Sequence, residues 1–375
     1  MVTGGGTGGH TYPALTTVRT LQSRLAQQGT GLDVLWVGKA DSLESRVAAG
    51  EGIAFTAVAT GKIRRSKNPL KLVSPANVAD MSRVPLGVLQ ARKAINAFRP
   101  DVVLATGGYV AVPVGVAATR LCRVPLVVHE QTVRLGLANK TLAAAASRIA
   151  VSSESTVPLL PEGVRPSAVV TGNPVRPEVF TGQGEKAIEA LTMPGFDRRL
   201  PTVYVTGGAQ GSQQINELVC DVLPWLLEHA NVIHQCGPDN VEELRRRTAH
   251  LPARYHLTGY VGPELPDVLA LADVVISRSG AGTIAELTAL GKAAVFVPLA
   301  TSAGNEQAHN ARHLADNGAA LALIDDVSPQ RLQSALAPLL TDAHARTAMA
   351  ERARAYGRPD AAERLADVVL AAAQG

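Results

Sequence analysis

Val274-Val275-Ile276-Ser277-Arg278-Ser279-Gly280-Ala281-Gly282-Thr283-Ile284-Ala285-Glu286-Leu287 decides the fold. An apolar run stops at a polar, glycine-bearing turn, and helix formers then resume in helical rhythm. The pattern predicts a buried strand, a tight loop and the first turn of a helix. The free N–H groups of such a turn carry partial positive charge and suit an anion, phosphate above all. Glu286 stands just far enough into the helix to reach a sugar hydroxyl beside that phosphate, and Arg278 supplies a full positive charge before the loop. The same letters also fit an ordinary strand–turn–helix with small residues at a crossing, so the flanking chain must decide.

Outward from this stretch the scheme repeats. A strand is expected at 202–206, then the loop Gly207-Gly208-Ala209-Gln210-Gly211-Ser212, a helix over 213–229, and strands at 231–235 and 293–298. The first half opens on Met1-Val2-Thr3 and runs at once into Gly4-Gly5-Gly6-Thr7-Gly8-Gly9-His10. A helix over 13–26 and a strand over 32–38 follow. Almost no strand precedes this glycine loop, and a lost central strand would expose its neighbours' hydrogen-bonding edges. A true start upstream of Met1 is therefore expected. A dinucleotide enzyme would want an acid near the end of the second strand, where Gly38-Lys39 stands, and the loop lacks the Gly-Lys-Ser/Thr ending of a P-loop. Both observations argue against NAD and against a P-loop.

Two further buried strands end in Thr106-Gly107-Gly108-Tyr109 and His129-Glu130-Gln131. Ligands collect at the carboxyl ends of strands in open α/β sheets. Short strands at 148–153 and 168–171 come next, and Gly172-Asn173-Pro174-Val175-Arg176 breaks the pattern as a domain junction. Strands alternate with helices throughout, which predicts an α/β chain with two doubly wound parallel sheets. The expected domains are 1–175 and 176–357, with the amphipathic tail 358–375 packing back on the first.

The 375 residues can bury two substantial cores. Aromatic content of 3% leaves no stacking platform for nucleic acid, and a net charge of +4 is too mild to suggest such a partner. Cys122, Cys220 and Cys236 lack metal-ligand spacing and fit a reducing compartment. Charge is lopsided over 61–100: Lys62, Arg64, Arg65, Lys67, Lys71, Arg83, Arg92, Lys93 and Arg99 face Asp80 alone, with Leu70, Leu72, Val73, Met81, Val84, Leu86 and Leu89 interleaved. This is either a solvated helix face or a surface for an anionic membrane.

Taken in order and spacing, these loops and strand ends, together with Gly136-Leu137-Ala138-Asn139-Lys140, resemble the MurG family of peptidoglycan glycosyltransferases over essentially the whole chain. The resemblance implies a GT-B fold, two Rossmann-like domains facing across a cleft. It implies inverting transfer of N-acetylglucosamine from UDP-N-acetylglucosamine to the 4-hydroxyl of the muramyl sugar of undecaprenyl-linked lipid I, giving lipid II, by a peripheral protein at the cytoplasmic face of the cell membrane. No Asp-x-Asp occurs, and helix N-termini with arginine can neutralise a diphosphate, so neither metal nor cofactor is expected.

The resemblance assigns the donor to Arg176, Arg278, Ser279, Ala281, Gly282, Thr283 and Glu286, with Glu306, Gln307 and Asn310 on the sugar and Ala209 in the second glycine loop. Asn216 matches a further family asparagine or else packs its helix. Thr7, Gly8, Gly9, His10, Tyr109, Thr132 and Asn139 fall to the acceptor. Histidine titrates near neutrality, which makes His10 a candidate base. His129 and Glu130 remain alternatives. Three positions depart from the family pattern: Thr132 stands for asparagine, Ala209 for serine and Glu306 for glutamine. They leave open a MurG-like paralogue acting on another acceptor, or a non-catalytic UDP-sugar binder. A UDP-sugar 2-epimerase on a similar fold is disfavoured by the basic stretch and the His-Glu-Gln strand end.

Overall fold

The computed structural model describes residues 1–61 and 75–374. Among them the chain divides into two compact units, Met1–Val175 with Arg358–Gly375, and Arg176–Gly357. Lys62, Arg64, Arg65, Lys67, Lys71, Leu70, Leu72 and Val73 of the basic stretch lie outside the described residues.

The first unit holds a parallel sheet of seven strands: β1 (Val2–Thr3), β2 (Leu35–Gly38), β3 (Ala54–Ala57), β4 (Val103–Ala105), β5 (Leu126–Glu130), β6 (Arg148–Val151) and β7 (Ala168–Val170), in the order β3-β2-β1-β4-β5-β6-β7. The two residues of β1 lie between β2 and β4: Val2 pairs with Trp36 on one side and Leu104 on the other. Both faces of the sheet are covered, as parallel sheets require. The period of two sends Val103, Ala105, Leu126 and Val128 to one face, against Ala91 and Ile95 of the helix Pro75–Phe98. Trp36, Leu104 and Val127 go to the other, against Ala14, Leu15 and Val18 of the helix Gly8–Gln27. The last helix, Ala361–Gln374, joins this second face through Leu365, Val368 and Val369, and Arg24 meets Asp367 at 2.7 Å.

The second unit repeats the plan with β8 (Thr202–Thr206), β9 (Asn231–Gln235), β10 (Tyr255–Thr258), β11 (Val274–Ser277), β12 (Ala293–Phe296) and β13 (Leu321–Ala322), in the order β10-β9-β8-β11-β12-β13. The helix Gln213–His229 buries Ile215, Leu218, Val219, Val222, Leu223 and Leu226, a stripe at helical spacing. Truncating Leu223, wholly buried in that core, would cost about 2–5 kcal/mol.

Each order reverses at one point, between β1 and β4 and between β8 and β11. Crevices open at the carboxyl ends of strands at such switch points. The loops after these four strands are the Gly-rich stretches singled out in the sequence. Edge strands β3, β10 and β13 were not foreseen. The helix expected from 13 begins at Gly8 instead, and the strand expected from 32 begins at Leu35.

Candidate active site

In the first unit the loops after β1 and β4 pack backbone on backbone. Gly108 has φ +79°, and a Cβ there would meet the carbonyl of Gly5, so this contact excludes any side chain. Gly6 N–H donates to Glu44 Oε2 at 3.1 Å. Glu44 is fully buried and also accepts from Lys39 N. An internal carboxylate thus occupies the Gly6 amide, which leaves the Thr7, Gly8 and Gly9 part of the loop at the helix start. Those residues open the helix Gly8–Gln27, with exposed Thr7 as its N-cap.

His10 lies in the first turn of that helix and is half-buried. Its Nδ1 is 3.0 Å from the Thr106 carbonyl and 3.1 Å from Gln131 Oε1. Both partners only accept, so Nδ1 carries the proton and Nε2 bears the lone pair of the neutral ring. Nε2 makes no hydrogen bond among the described residues. Tyr109 lies over Gly6, and Asn139 and His10 both flank Gly107.

The two alternative bases sit in internal networks. His129 is wholly buried; its Nε2 meets the Gly172 carbonyl at 3.0 Å and its Nδ1 meets Gln131 Nε2 at 3.2 Å. Burial lowers its pKa to about 4, against a smaller opposing effect of the Gly172 bond, so it stays neutral near pH 7. Glu130 is equally buried. Its oxygens accept from Thr132 N, Gly136 N and Asn139 Nδ2 at 2.8–3.1 Å, which makes it the support of the turn before the helix Leu137–Ala143. The Thr132 hydroxyl lies 2.8 Å from the same carboxylate. Asn139 Oδ1 is buried without a partner among the described residues, a spare acceptor at this end of the sheet.

In the second unit the helix Ala281–Leu290 starts at the switch point, with Gly280 as N-cap. The amides of Ala281, Gly282 and Thr283 have no intrahelical acceptor. Glu286 Oε1 accepts from Arg176 Nε at 3.0 Å and Nη2 at 2.8 Å. Oε2 makes no hydrogen bond among the described residues. Burial raises the Glu286 pKa, with Arg176 opposing. Across the crevice, Gly208, Ala209 and Gln210 are exposed, and Gly211 (φ +72°) backs onto the Cys236 carbonyl. Tyr260, after β10, leaves its ring largely in solvent.

The residues expected at the donor carry internal hydrogen bonds. Arg278 Nη1 donates to Gln214 Oε1 and to the carbonyls of Val297 and Pro298, and Nη2 to Ser212 Oγ, all within 3.0 Å. A guanidinium beside open strand-end carbonyls satisfies them first. Ser279 is wholly buried, with Oγ donating to the Gln307 carbonyl. Gln307 Oε1 accepts from Leu299 N, and Asn310 Nδ2 donates to the Ser279 carbonyl. These three brace the loop after β11 against the helix Glu306–Asp316, whose half-buried first residue is Glu306. Asn216 is buried, bonded to Cys236 O and His234 Nε2, so it packs its helix. Sequence reasoning gave no role to Gln131 or Tyr260. Gln131 was legible in one respect: in a strand end of period two it shares a face with His129.

Known families match this chain along nearly its whole length. The glycosyltransferase family 28 N-terminal domain matches residues 1–151 and its C-terminal domain residues 202–365. A UDP-N-acetylglucosamine–N-acetylmuramyl-(pentapeptide) pyrophosphoryl-undecaprenol N-acetylglucosamine transferase of Listeria welshimeri is 34% identical, covering 98% of each chain. The enzyme of the same name from Limosilactobacillus fermentum is 36% identical over 98% of this chain and 97% of its own. The crystal structure of Acinetobacter baumannii MurG superposes with a TM-score of 0.73 at 27% identity, covering 99% of this chain and 98% of that one. A UDP-GlcNAc 2-epimerase from Neisseria meningitidis, at 15% identity and a TM-score of 0.67 over 99% and 98%, shares the fold.

Proposed function

Because the chain belongs to glycosyltransferase family 28 and to its MurG branch, we propose that it moves N-acetylglucosamine from UDP-N-acetylglucosamine to the 4-hydroxyl of the muramyl sugar of lipid I, giving lipid II. It is a hexosyltransferase. The observation that carries the division of labour is that each sheet's switch point offers a different chemistry. The first unit presents a half-buried imidazole whose Nε2 is unbonded among the described residues. The second presents a helix N-terminus with a carboxylate one and a half turns in.

In this reading the diphosphate sits against the amides of Ala281, Gly282 and Thr283, whose dipoles take up the charge that develops as UDP leaves. Glu286 Oε2 accepts from the ribose hydroxyls, and Arg176 is held beside them. The exposed amides of Ala209 and Gln210 complete the anion site. Thr7 to Gly9, Tyr109 and Asn139 position the acceptor. His10 Nε2 takes the proton of the 4-hydroxyl, the oxygen attacks the anomeric carbon, and the bond to the β-phosphate oxygen breaks. One displacement inverts the anomeric centre. Neither a metal nor a cofactor takes part.

Docking to an anionic membrane surface is part of the same reading. No helix among the described residues is long and apolar enough to cross a membrane. Leu86 and Leu89 are exposed on the helix Pro75–Phe98, and exposed Lys93 falls on the same face. Retention on vesicles containing an anionic lipid at low salt, and release at high salt, is expected.

The deciding experiment is a panel of nucleotide sugars and acceptors. UDP release with UDP-N-acetylglucosamine and a lipid I analogue, unchanged by EDTA, is expected. Turnover only with another pair would move the chain to a paralogue's role, and tight UDP binding with no transfer would leave a binder.

A further inference from the structure

We propose that Gln131 is the positioning residue for His10, presenting the side-chain oxygen that, with the Thr106 carbonyl, holds the imidazole as the Nδ1–H tautomer and leaves Nε2 free as the base. The proposal rests on the reading of His10 above and names what makes that ring competent.

Gln131 is only 4% exposed, and the orientation of its amide is forced. Nε2 lies 2.6 Å from the Thr106 carbonyl and 3.2 Å from the His129 carbonyl, groups that can only accept. The nitrogen end must therefore face them, and Oε1 must face His10 Nδ1 at 3.1 Å. A flipped amide would set an oxygen against two carbonyls and a nitrogen against Nδ1.

The orientation is fixed from a second side. Gln131 Nε2 also reaches His129 Nδ1 at 3.2 Å, and His129 Nε2 faces the Gly172 carbonyl at 3.0 Å. His129 thus donates through Nε2 and accepts through Nδ1. A directional chain runs from Gly172 through His129 and Gln131 to His10, every member in the first unit. A neutral imidazole in solution divides between two tautomers; this chain selects the one whose lone pair points away from the buried side.

The test uses the full chain with nitrogen-15-labelled histidine. Nine histidines are present, and the His10 signals are assigned by their loss in His10→Gln. In the wild type at high pH, His10 Nε2 is expected at the unprotonated shift and Nδ1 at the protonated one. Gln131→Met removes the oxygen at similar volume. Its two His10 nitrogen shifts should move toward each other, and kcat should fall tenfold or more while KM for the donor stays within twofold. Gln131→Glu keeps an oxygen facing Nδ1–H; it should restore the wild-type shift pattern and most of kcat. A protonated Nε2 in the wild type would overturn the proposal. So would Gln131→Met with unchanged shifts, or Gln131→Glu indistinguishable from Gln131→Met. If His10→Gln retains the rate while the shifts behave as expected, the base assignment fails and the positioning stands.

Discussion

Arg278→Met separates two accounts of the second unit. On the sequence alone Arg278 neutralises the donor diphosphate; in the structure it braces strand ends. Four hydrogen bonds leave its guanidinium, to Gln214, Val297 O, Pro298 O and Ser212 Oγ. A bond with a charged donor contributes about 1.5–3 kcal/mol. Gln214 is exposed and finds water once the arginine is gone, and the group itself is half-buried, so the summed figure must be discounted. A loss of about 3 kcal/mol remains, which lowers the melting temperature of a unit this size by roughly 6–12 °C. The assay pairs thermal melting with calorimetric binding of UDP and of uridine below the transition. On the bracing account the ratio of the two affinities should stay within threefold of wild type. A tenfold fall in that ratio with an unchanged melting temperature would refute the bracing role and return Arg278 to the ligand.

Three further outcomes are expected. Glu286→Gln should weaken UDP binding 10- to 100-fold, the worth of one or two charged hydrogen bonds, yet leave 2′,3′-dideoxy-UDP nearly unaffected; calorimetry with both nucleotides checks it. Ala209→Ser adds a donor to the exposed loop after β8 and should tighten UDP binding roughly two- to tenfold, read the same way. Stability should fall on acidification between pH 6.5 and 4, because unfolded His129 takes up a proton that the folded residue, held near a pKa of about 4, refuses. By pH 5 this amounts to about 2 kcal/mol; urea midpoints at pH 7 and 5 should differ by less in His129→Gln.

The architecture was legible because its signals are local. Apolar runs ending in glycine announced β4, β8 and β11, and the periodic stripe from Ile215 to Leu226 announced its helix. Tyr255–Thr258 and Leu321–Ala322 gave no such signal, since short edge strands owe their state to a neighbour's register rather than to their own pattern. The site was legible as a set of places but only partly as a set of roles. Arg278, Ser279 and Asn310 stand at the crevice, and the sequence does not say whether a polar group there faces outward or satisfies a carbonyl behind it. Glu44 shows the reverse. Nothing in its helix marks it, yet it reaches back to the first glycine loop through a contact 38 residues long.

The same distinction bears on Glu130. His129, Glu130 and Gln131 follow one another at the end of a strand, where side chains alternate faces, so three neighbours cannot all address one ligand. His129 and Gln131 share the network that ends on His10, while Glu130 is captured by donors from Thr132, Gly136 and Asn139. Glu130→Gln would turn an amide nitrogen toward donors whichever way it rotates. One or two buried donors left unpaired should destabilise the first unit by about 3 kcal/mol, visible as a lower urea midpoint. Activity per folded molecule, measured in the cold, should remain within a few-fold of wild type. Removing a true base costs 10²–10⁴ in rate, and His10→Gln should show a loss of at least about 100-fold. A Glu130→Gln protein of undiminished stability that has lost activity a hundredfold would make Glu130 the base and reduce His10 to a phosphate contact.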